Sequence, residues 1–354
     1  LYLSWRLDIF HGVVSAARHH QWGRFIVSPA ILWTGMGMLM LLLRTLLWFR
    51  YRTPPLATME SAPSLTVIIP AYNEGAMVAR SIESVVAARY PRERLQVFVV
   101  DDGSVDDTWQ HIERVARRFP DVVTPLRFER NRGKRAALEA GFRRGRGEIM
   151  VTIDSDSVIE PDTLLAMTGP FTDARIGAVA GKVSVFNRGE GLIPRMLKVR
   201  FALSFDFLRA VQSTYGTVYC CPGALAAYRA SVVRDVLERW IGQRFLGRAC
   251  TYGEDRAMTN EILGQGYDCV YQRAGVVHTL VPTTYSRLCK MFLRWDRSYV
   301  REELRFLRTI VWRRPPKARA IALVEAIVTN SRYPVAWATL VLLVSLVASH
   351  PYKI

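Results

Sequence analysis

The sequence predicts an α/β layer domain built on a mostly parallel sheet, with membrane-associated helices on either side of it. Three observations predict this. Short apolar runs alternate with helix-period stretches between about residues 64 and 280, acidic or glycine-containing turns follow those runs, and two long apolar segments bracket the block.

The elements follow in order. LTVII (65–69), LQVFVV (95–100), IMVTI (149–153) and IGAVAGKV (176–183) have the length and β-branched content of buried strands. Helical stretches are expected over 76–88, 106–118 and 134–144. Strand, helix, strand at this spacing gives parallel pairing, and ligands of such sheets sit at the carboxyl ends of the strands. Gly181 and Lys182 are expected to end the last strand there.

Outside this block, Pro29 to Trp48 is apolar except for Arg44 and is long enough to cross a bilayer as a helix. A transmembrane helix is expected over 29–49, and Arg50 and Arg52 behind it place the following residues in the cytoplasm. A second apolar run, Pro334 to Ser349, suggests another membrane helix, complete or partial, within 333–354. Between Arg305 and Arg332, basic residues alternate with Ile, Leu, Val and Trp312, the pattern of amphipathic interfacial helices. Residues 1–28 fit the same role, with a solvated basic face as the competing reading. The organisation expected is a cytosolic catalytic domain over 64–304 between these segments, in a multi-pass protein of the inner or plasma membrane.

Composition narrows the function. The 354 residues carry 48 Lys+Arg against 31 Asp+Glu, a formal net charge of +17, and half are hydrophobic. That apolar content excludes disorder, while the charge admits nucleic acid, an anionic membrane or a polyanionic substrate. Nucleic acid gives no reason for acidic strand ends and is set aside. Five cysteines without a CxxC pair suggest neither a bridge framework nor a zinc site, and are expected as buried small hydrophobes. No HExxH or GxSxG occurs, which lowers metalloprotease and hydrolase readings.

The chemistry gathers at three expected strand ends: Ala71-Tyr72-Asn73-Glu74, Asp101-Asp102-Gly103-Ser104 and Asp154-Ser155-Asp156-Ser157. Asp154 and Asp156 are two apart, so on extended chain they face the same way and can share a hard divalent cation with a diphosphate. Lys134 and Arg135 open a helix just after Gly133, where cations and a helix N-terminus both favour phosphate oxygens.

In this order and spacing, VIIPAYNE, VVDDGS, NRGKR and VTIDSD resemble the nucleotide-sugar domain of family 2 glycosyltransferases, whose fold is called GT-A. CCPGALAAYR (220–229), FLGRACTYGEDRAMTN (245–260) and FLRWDRSYVRE (292–302) look like the membrane-integrated synthases of hyaluronan and of rhizobial chitooligosaccharides. The resemblance covers about residues 65–305. It implies that Ala71, Tyr72, Glu74 and Asp102 hold the nucleoside of a UDP-sugar, that Asp154 contacts ribose or diphosphate, and that Lys134 and Arg294 reach the diphosphate. It further implies that Asp156 ligates Mg2+ or Mn2+, and that Asp255 is the general base, oriented or tuned by Glu254. Cys221, Gly223, Trp295 and Arg297 would line the acceptor. On local sequence alone Asp255 reads first as a helix cap or ion-pair partner, and His278 as a packing or backbone-bonded residue rather than an extra ligand.

The implied activity is inverting transfer from a UDP-sugar, UDP-GlcNAc first and UDP-GlcA beside it, onto a growing β-linked polysaccharide coupled to membrane export. The alternative is a non-processive membrane transferase acting on a lipid-linked acceptor. Implied partners are the UDP-sugar, a polysaccharide or oligosaccharide acceptor and membrane lipids, with a homodimer or a partner subunit left open. Two departures from the family pattern stand out: Met291 where Gln is usual, and Cys-Pro-Gly at 221–223.

Overall fold

The computed structural model describes residues 15, 24–313 and 316–349. Its helices and strands run α1 (Arg24–Arg50), β1 (Leu65–Ala71), α2 (Met77–Val86), β2 (Leu95–Asp101), α3 (Thr108–Arg118), β3 (Val123–Arg127), α4 (Lys134–Arg144), β4 (Ile149–Ile153), β5 (Ser157–Ile159) and α5 (Thr163–Thr168). There follow β6 (Ile176–Val185), α6 (Leu192–Phe201), a π turn (Ala202–Phe207), α7 (Leu208–Ser213), β7 (Leu225–Arg229), α8 (Ala230–Ile241), a short hairpin β8 (Arg244–Phe245) and β9 (Arg248–Ala249), α9 (Glu254–Gly264), β10 (Asp268–Thr279), α10 (Tyr285–Arg313) and α11 (Pro316–Ser349). The chain divides into two compact units, Trp48–Ala322 and a helical unit of Leu1–Leu47 with Leu323–Ile354.

The larger unit is built on an eight-stranded sheet of order β3-β2-β1-β4-β7-β6-β10-β5. The first four strands are parallel, as is the β6–β10 pair, and β7 and β5 run antiparallel to their neighbours. Every residue of β1 and β4 is buried, as a sheet covered on both faces requires. α2 buries Val78, Ser81, Ile82 and Val85, the single stripe that helical spacing gives. Each fully buried Val or Ile of this core contributes roughly 1.5–3 kcal/mol. α4 lies close on β1: a Cβ added at Gly141 would come 2.5 Å from Ile68 Cγ2. That contact carries the N-terminus of α4 to the strand ends.

The sequence-based elements shift little. β6 runs on through Gly181 and Lys182 to Val185, because its pairing with β10 continues past a bulge. α9 begins at Glu254, so the acidic pair forms its first turn. All five cysteines are free; Cys221, Cys250 and Cys269 are buried, Cys220 is half-buried and Cys289 is exposed, against the expectation that all would pack inside.

In the helical unit, α1 occupies the expected apolar run, yet among the described residues no helix is long and apolar enough to cross a membrane. The spanning helices expected at 29–49 and within 333–354 are thus not found among the described residues. Arg44 sits inside α1 and pairs with Glu325 of α11 at 3.4 Å, donating also to Thr329 Oγ1 at 2.9 Å. α11 is one helix from Pro316 through Pro334 to Ser349, without a break between an interfacial and an apolar part. The expected N-terminal interfacial segment lies mostly outside the described residues.

Candidate active site

The tips of β1, β2 and β4 stand side by side, and their loops hold one another. Asn73, at a left-handed φ of 54°, takes a hydrogen bond from Val105 N–H on Oδ1 at 3.0 Å and gives its own N–H to Ser104 Oγ at 3.0 Å. Thr108 Oγ1 accepts the N–H groups of Glu74 and Gly75 at 2.8 and 2.9 Å. Tyr72 is left exposed, ring outward. Ala71 is buried and accepts the Asp102 N–H on its carbonyl at 2.8 Å. Both Asp102 oxygens accept backbone N–H groups, from Arg132 at 2.7 Å and Gly133 at 2.8 Å, so this carboxylate fixes the loop that opens α4.

Lys134 begins α4 and donates to Asp154 Oδ1; its Nζ also lies 3.4 Å from Glu254 Oε1. Gly223 fits between the carboxylates. Its N–H donates to Asp255 Oδ2 at 3.2 Å, and a Cβ there would lie 3.0 Å from Lys134 Nζ and 3.6 Å from Asp154 Oδ1. Asp154, Lys134, Gly223, Glu254 and Asp255, spread over a hundred residues of chain, thus form one cluster at the carboxyl end of β4.

Electrostatics separate the acids. Burial, and then the neighbouring Glu254 carboxylate, push Asp255 above the usual carboxylate range, although Lys134 and the N–H groups of Arg256 and Gly223 oppose this. Burial acts most strongly on Glu254, but Lys134, a backbone hydrogen bond and Arg135 together hold that carboxyl below its ordinary value. Two adjacent acids are therefore driven apart: Glu254 toward the anion, Asp255 toward raised proton affinity, the property of a base. Burial raises Asp156 as well, with Asp154 adding to it, and Glu74 is pushed up to about 7 by burial and by Asp156.

Asp156 Oδ1 accepts from Ser157 Oγ at 3.0 Å and Thr279 Oγ1 at 3.1 Å. Among the described residues no group of three or more His, Cys, Asp or Glu is arranged to hold an ion. Asp154 and Asp156 nevertheless fit Mg2+ or Mn2+: they are hard oxygen donors whose mutual repulsion a cation relieves, and such ions complete their shell with water and phosphate oxygens. His278 pairs elsewhere, its Nε2 2.9 Å from Glu160 Oε1.

The expected acceptor residues divide. Gly223 belongs to the cluster. Cys221 is buried, with its N–H on Thr259 Oγ1 at 3.0 Å, and it is the Cys220 thiol that reaches Asp255 Oδ2, at 3.5 Å. Trp295 is half-buried against Phe201 and Phe292, with ring centroids 6.5 and 5.7 Å away. Arg294 and Arg297 are exposed on α10, and among the described residues no hydrogen bond or ion pair joins them to the carboxylates. Sequence reasoning missed Cys220, Thr259 and Trp240, whose Nε1 donates to Glu254 O at 2.8 Å. Thr259 was the findable one: it stands four residues after Asp255 on the same helix face and bonds its carbonyl at 2.8 Å.

The same fold occurs in the mannosyltransferase PcManGT of Pyrobaculum calidifontis, solved with GDP-Man and Mn2+. It is 25% identical, with a TM-score of 0.67 over 93% of this chain and 92% of that one. S. aureus TarS 1–349, solved with UDP, shares the fold alone, at 17% identity and a TM-score of 0.52 over 75% and 70% of the two chains. The domain is thus a GT-A-like glycosyltransferase domain. Residues 66–237 match the model of Glycosyl transferase family 2, and the domain they form belongs to that family. It is similar to an N-acetylglucosaminyltransferase of Mesorhizobium japonicum, 34% identical over 249 residues, 69% of this chain and 58% of that protein. A hyaluronan synthase of Streptococcus pyogenes is 34% identical over 245 residues, 68% and 58% of the two chains. The chain spans about 58% of the length of these curated relatives.

Proposed function

We propose that the protein transfers N-acetylglucosamine, with inversion, from UDP-GlcNAc to the end of a growing β-linked polysaccharide of the chitin or hyaluronan type. The observation that carries this reading is the joining of Lys134, Asp154 and Asp255 around Gly223: a phosphate-binding cation and a buried base within one cluster. The names of the relatives support the sugar. In this reading the uracil and ribose lie along Tyr72, Glu74 and the Asp102 loop, and the diphosphate lies at Lys134 and the N-terminus of α4. Asp255 takes the acceptor hydroxyl proton, the acceptor oxygen bonds to the anomeric carbon, and the bond to the diphosphate breaks, releasing UDP. Asp156, with Asp154 beside it, would hold Mg2+ or Mn2+, which neutralises charge on the leaving diphosphate. Arg294, Trp295 and Arg297 would approach the acceptor and diphosphate from α10.

The reading includes a membrane surface. α6 exposes Leu192, Met196 and Val199 in one stripe, continued by Leu203, with Arg195, Lys198 and Arg200 exposed beside it. Apolar stripe plus basic flank is the chemistry of a helix lying on an anionic leaflet. α1 exposes Met38, Leu39, Leu42 and Leu46.

A second reading is single-sugar transfer to a lipid-linked acceptor; the overlap with a mannosyltransferase solved with GDP-Man and Mn2+ supports GDP-Man as its donor. One experiment separates them. The protein is supplied with labelled UDP-GlcNAc, UDP-GlcA or GDP-Man and Mn2+, and the product is sized. Polymer from UDP-GlcNAc is expected; one sugar on lipid from GDP-Man establishes the second reading, and no transfer from any donor overturns both.

A further inference from the structure

Behind the carboxylate cluster lies a polar core that the proposed chemistry does not use. Its centre is Glu302 of α10, a fully buried carboxylate. Oε1 accepts Gln243 Nε2 at 2.5 Å and Arg301 Nε at 2.7 Å; Oε2 accepts Asn260 Nδ2 at 3.1 Å, and the same amide reaches the Glu302 carbonyl at 3.0 Å. Each of these partners leads to a different part of the site. Gln243 Oε1 accepts Arg135 Nη2 at 3.1 Å, and Arg135 follows Lys134 at the start of α4. Asn260 lies on α9, five residues after Asp255. Arg301 donates to the Tyr252 carbonyl, just before the turn that opens α9. Beside this hub, Arg256 Nη2 pairs with Glu303 at 2.9 Å and stacks 4.2 Å over Tyr299, again joining α9 to α10.

A buried carboxylate costs free energy to desolvate, and an apolar pair of similar volume would hold two helices at least as well. What a hydrogen-bonded hub of this kind supplies is a fixed orientation of the groups around it. We propose that Glu302 is a positioning residue that sets the Asp255 helix against the phosphate-facing end of α4, through Asn260 on one side and Gln243 with Arg135 on the other. The proposal rests on the reading of Asp255 as base and Lys134 as diphosphate ligand. It assigns the α10 segment after Arg294-Trp295 a share in the transfer step without contact with either substrate.

The test uses the full chain and UDP-GlcNAc with Mn2+, and compares Glu302→Gln, Gln243→Met and the exchange Gln243→Glu/Glu302→Gln. The exchange restores the hydrogen bond between the two side chains with its direction reversed. Four quantities are read: kcat, donor KM, UDP affinity by calorimetry and the melting temperature. Glu302→Gln and Gln243→Met are each expected to lower kcat about 10²-fold, the cost of a small misplacement of reacting groups. Donor KM and UDP affinity stay at the wild-type values, and the exchange recovers part of kcat. Unchanged kcat in folded single variants overturns the proposal, as does a loss of UDP affinity parallel to the loss of kcat, which marks a general collapse. If Glu302→Gln does not fold, Gln243→Met decides alone. Wild-type protein that binds UDP but transfers no sugar removes the underlying reading instead, a distinct result.

Discussion

On the nucleotide side of the site, backbone N–H groups donate to short side chains: to the neutral oxygens of Asn73, Ser104 and Thr108, and beside them to the Asp102 carboxylate. On the transfer side, the helix bearing Asp255 is held by long charged side chains: Arg256 to Glu303, Arg305 to Glu261 at 2.5 Å, and the Glu302 hub. The first kind of support is rigid and tolerant, because each neutral bond is worth only about 0.5–1.5 kcal/mol net. In the second kind, removing one member strands a buried charge at a cost of about 3–5 kcal/mol. The nucleotide side is therefore a fixed seat, and the transfer side is held by bonds that single substitutions disturb strongly.

The sharpest separation of the two sides is Asp255→Asn. It removes the proton acceptor and nothing on the nucleotide side, so kcat for sugar transfer should fall about 10²–10⁴-fold. UDP binding measured by calorimetry should be unchanged. Equal losses in both would mean that Asp255 serves the donor instead.

Lys134 touches both sides, so its removal should blur the contrast. Lys134→Met leaves Asp154 and Glu254 without their shared cation and takes a charge from the diphosphate. UDP should bind roughly 10–100-fold more weakly, the worth of one charge-assisted bond of about 1.5–3 kcal/mol. UDP affinity equal to wild type, titrated with Mn2+ present, would break the assignment.

The pH–rate profile tests the electrostatics of the transfer side alone. A base must be unprotonated, and the Asp255 carboxyl is raised by burial and by Glu254, so the acid limb of kcat should lie above the ordinary carboxylate range. Glu254→Gln removes the adjacent negative charge and makes the Asp255 anion easier to form. The limb should then move toward lower pH; a move toward higher pH would show that Glu254 does not act on Asp255 through its charge.

The same contrast explains what was legible in the sequence. The nucleotide side is written in contiguous runs, since a strand, its tip and the loop residues that cap its neighbour's N–H groups lie within a few positions. Asp154, Lys134 and the strands beneath them could be read that way. The transfer side depends on pairings such as Gln243 with Glu302, 59 residues apart, and Asn260 with Glu302, 42 apart. Nothing in the local pattern RSYVREELRF distinguishes a buried Glu302 from a solvated one on a charged helix. Nor does CCPG reveal which of two adjacent cysteines faces the base; the turn into β7 decides that. The apolar run at α1 was legible as a helix, but whether Arg44 meets lipid headgroups or Glu325 depends on a partner 281 positions away in the chain.

The smallest effects should come from two glycines, one on each side, both at left-handed φ: Gly103 at 73° and Gly253 at 77°. Alanine at either is strained by about 1–3 kcal/mol. Their surroundings differ. A Cβ at Gly103 meets backbone, 2.5 Å from Arg130 C and 2.7 Å from Asn131 N, in a loop already tied to Asp102. A Cβ at Gly253 meets side chains, Ser298 Cβ at 2.4 Å and Arg301 Nη2 at 3.1 Å, both on α10. The first clash has nowhere to go and should appear as lost stability in denaturant melts, with kcat of the surviving folded protein unchanged. The second can be relieved by moving α10 away from the turn that precedes Asp255, so Gly253→Ala should lose less stability and more kcat. The reverse ranking, with Gly103→Ala slowing transfer and Gly253→Ala merely unfolding the protein, would show that the seat and the transfer side have been assigned to the wrong halves of the site.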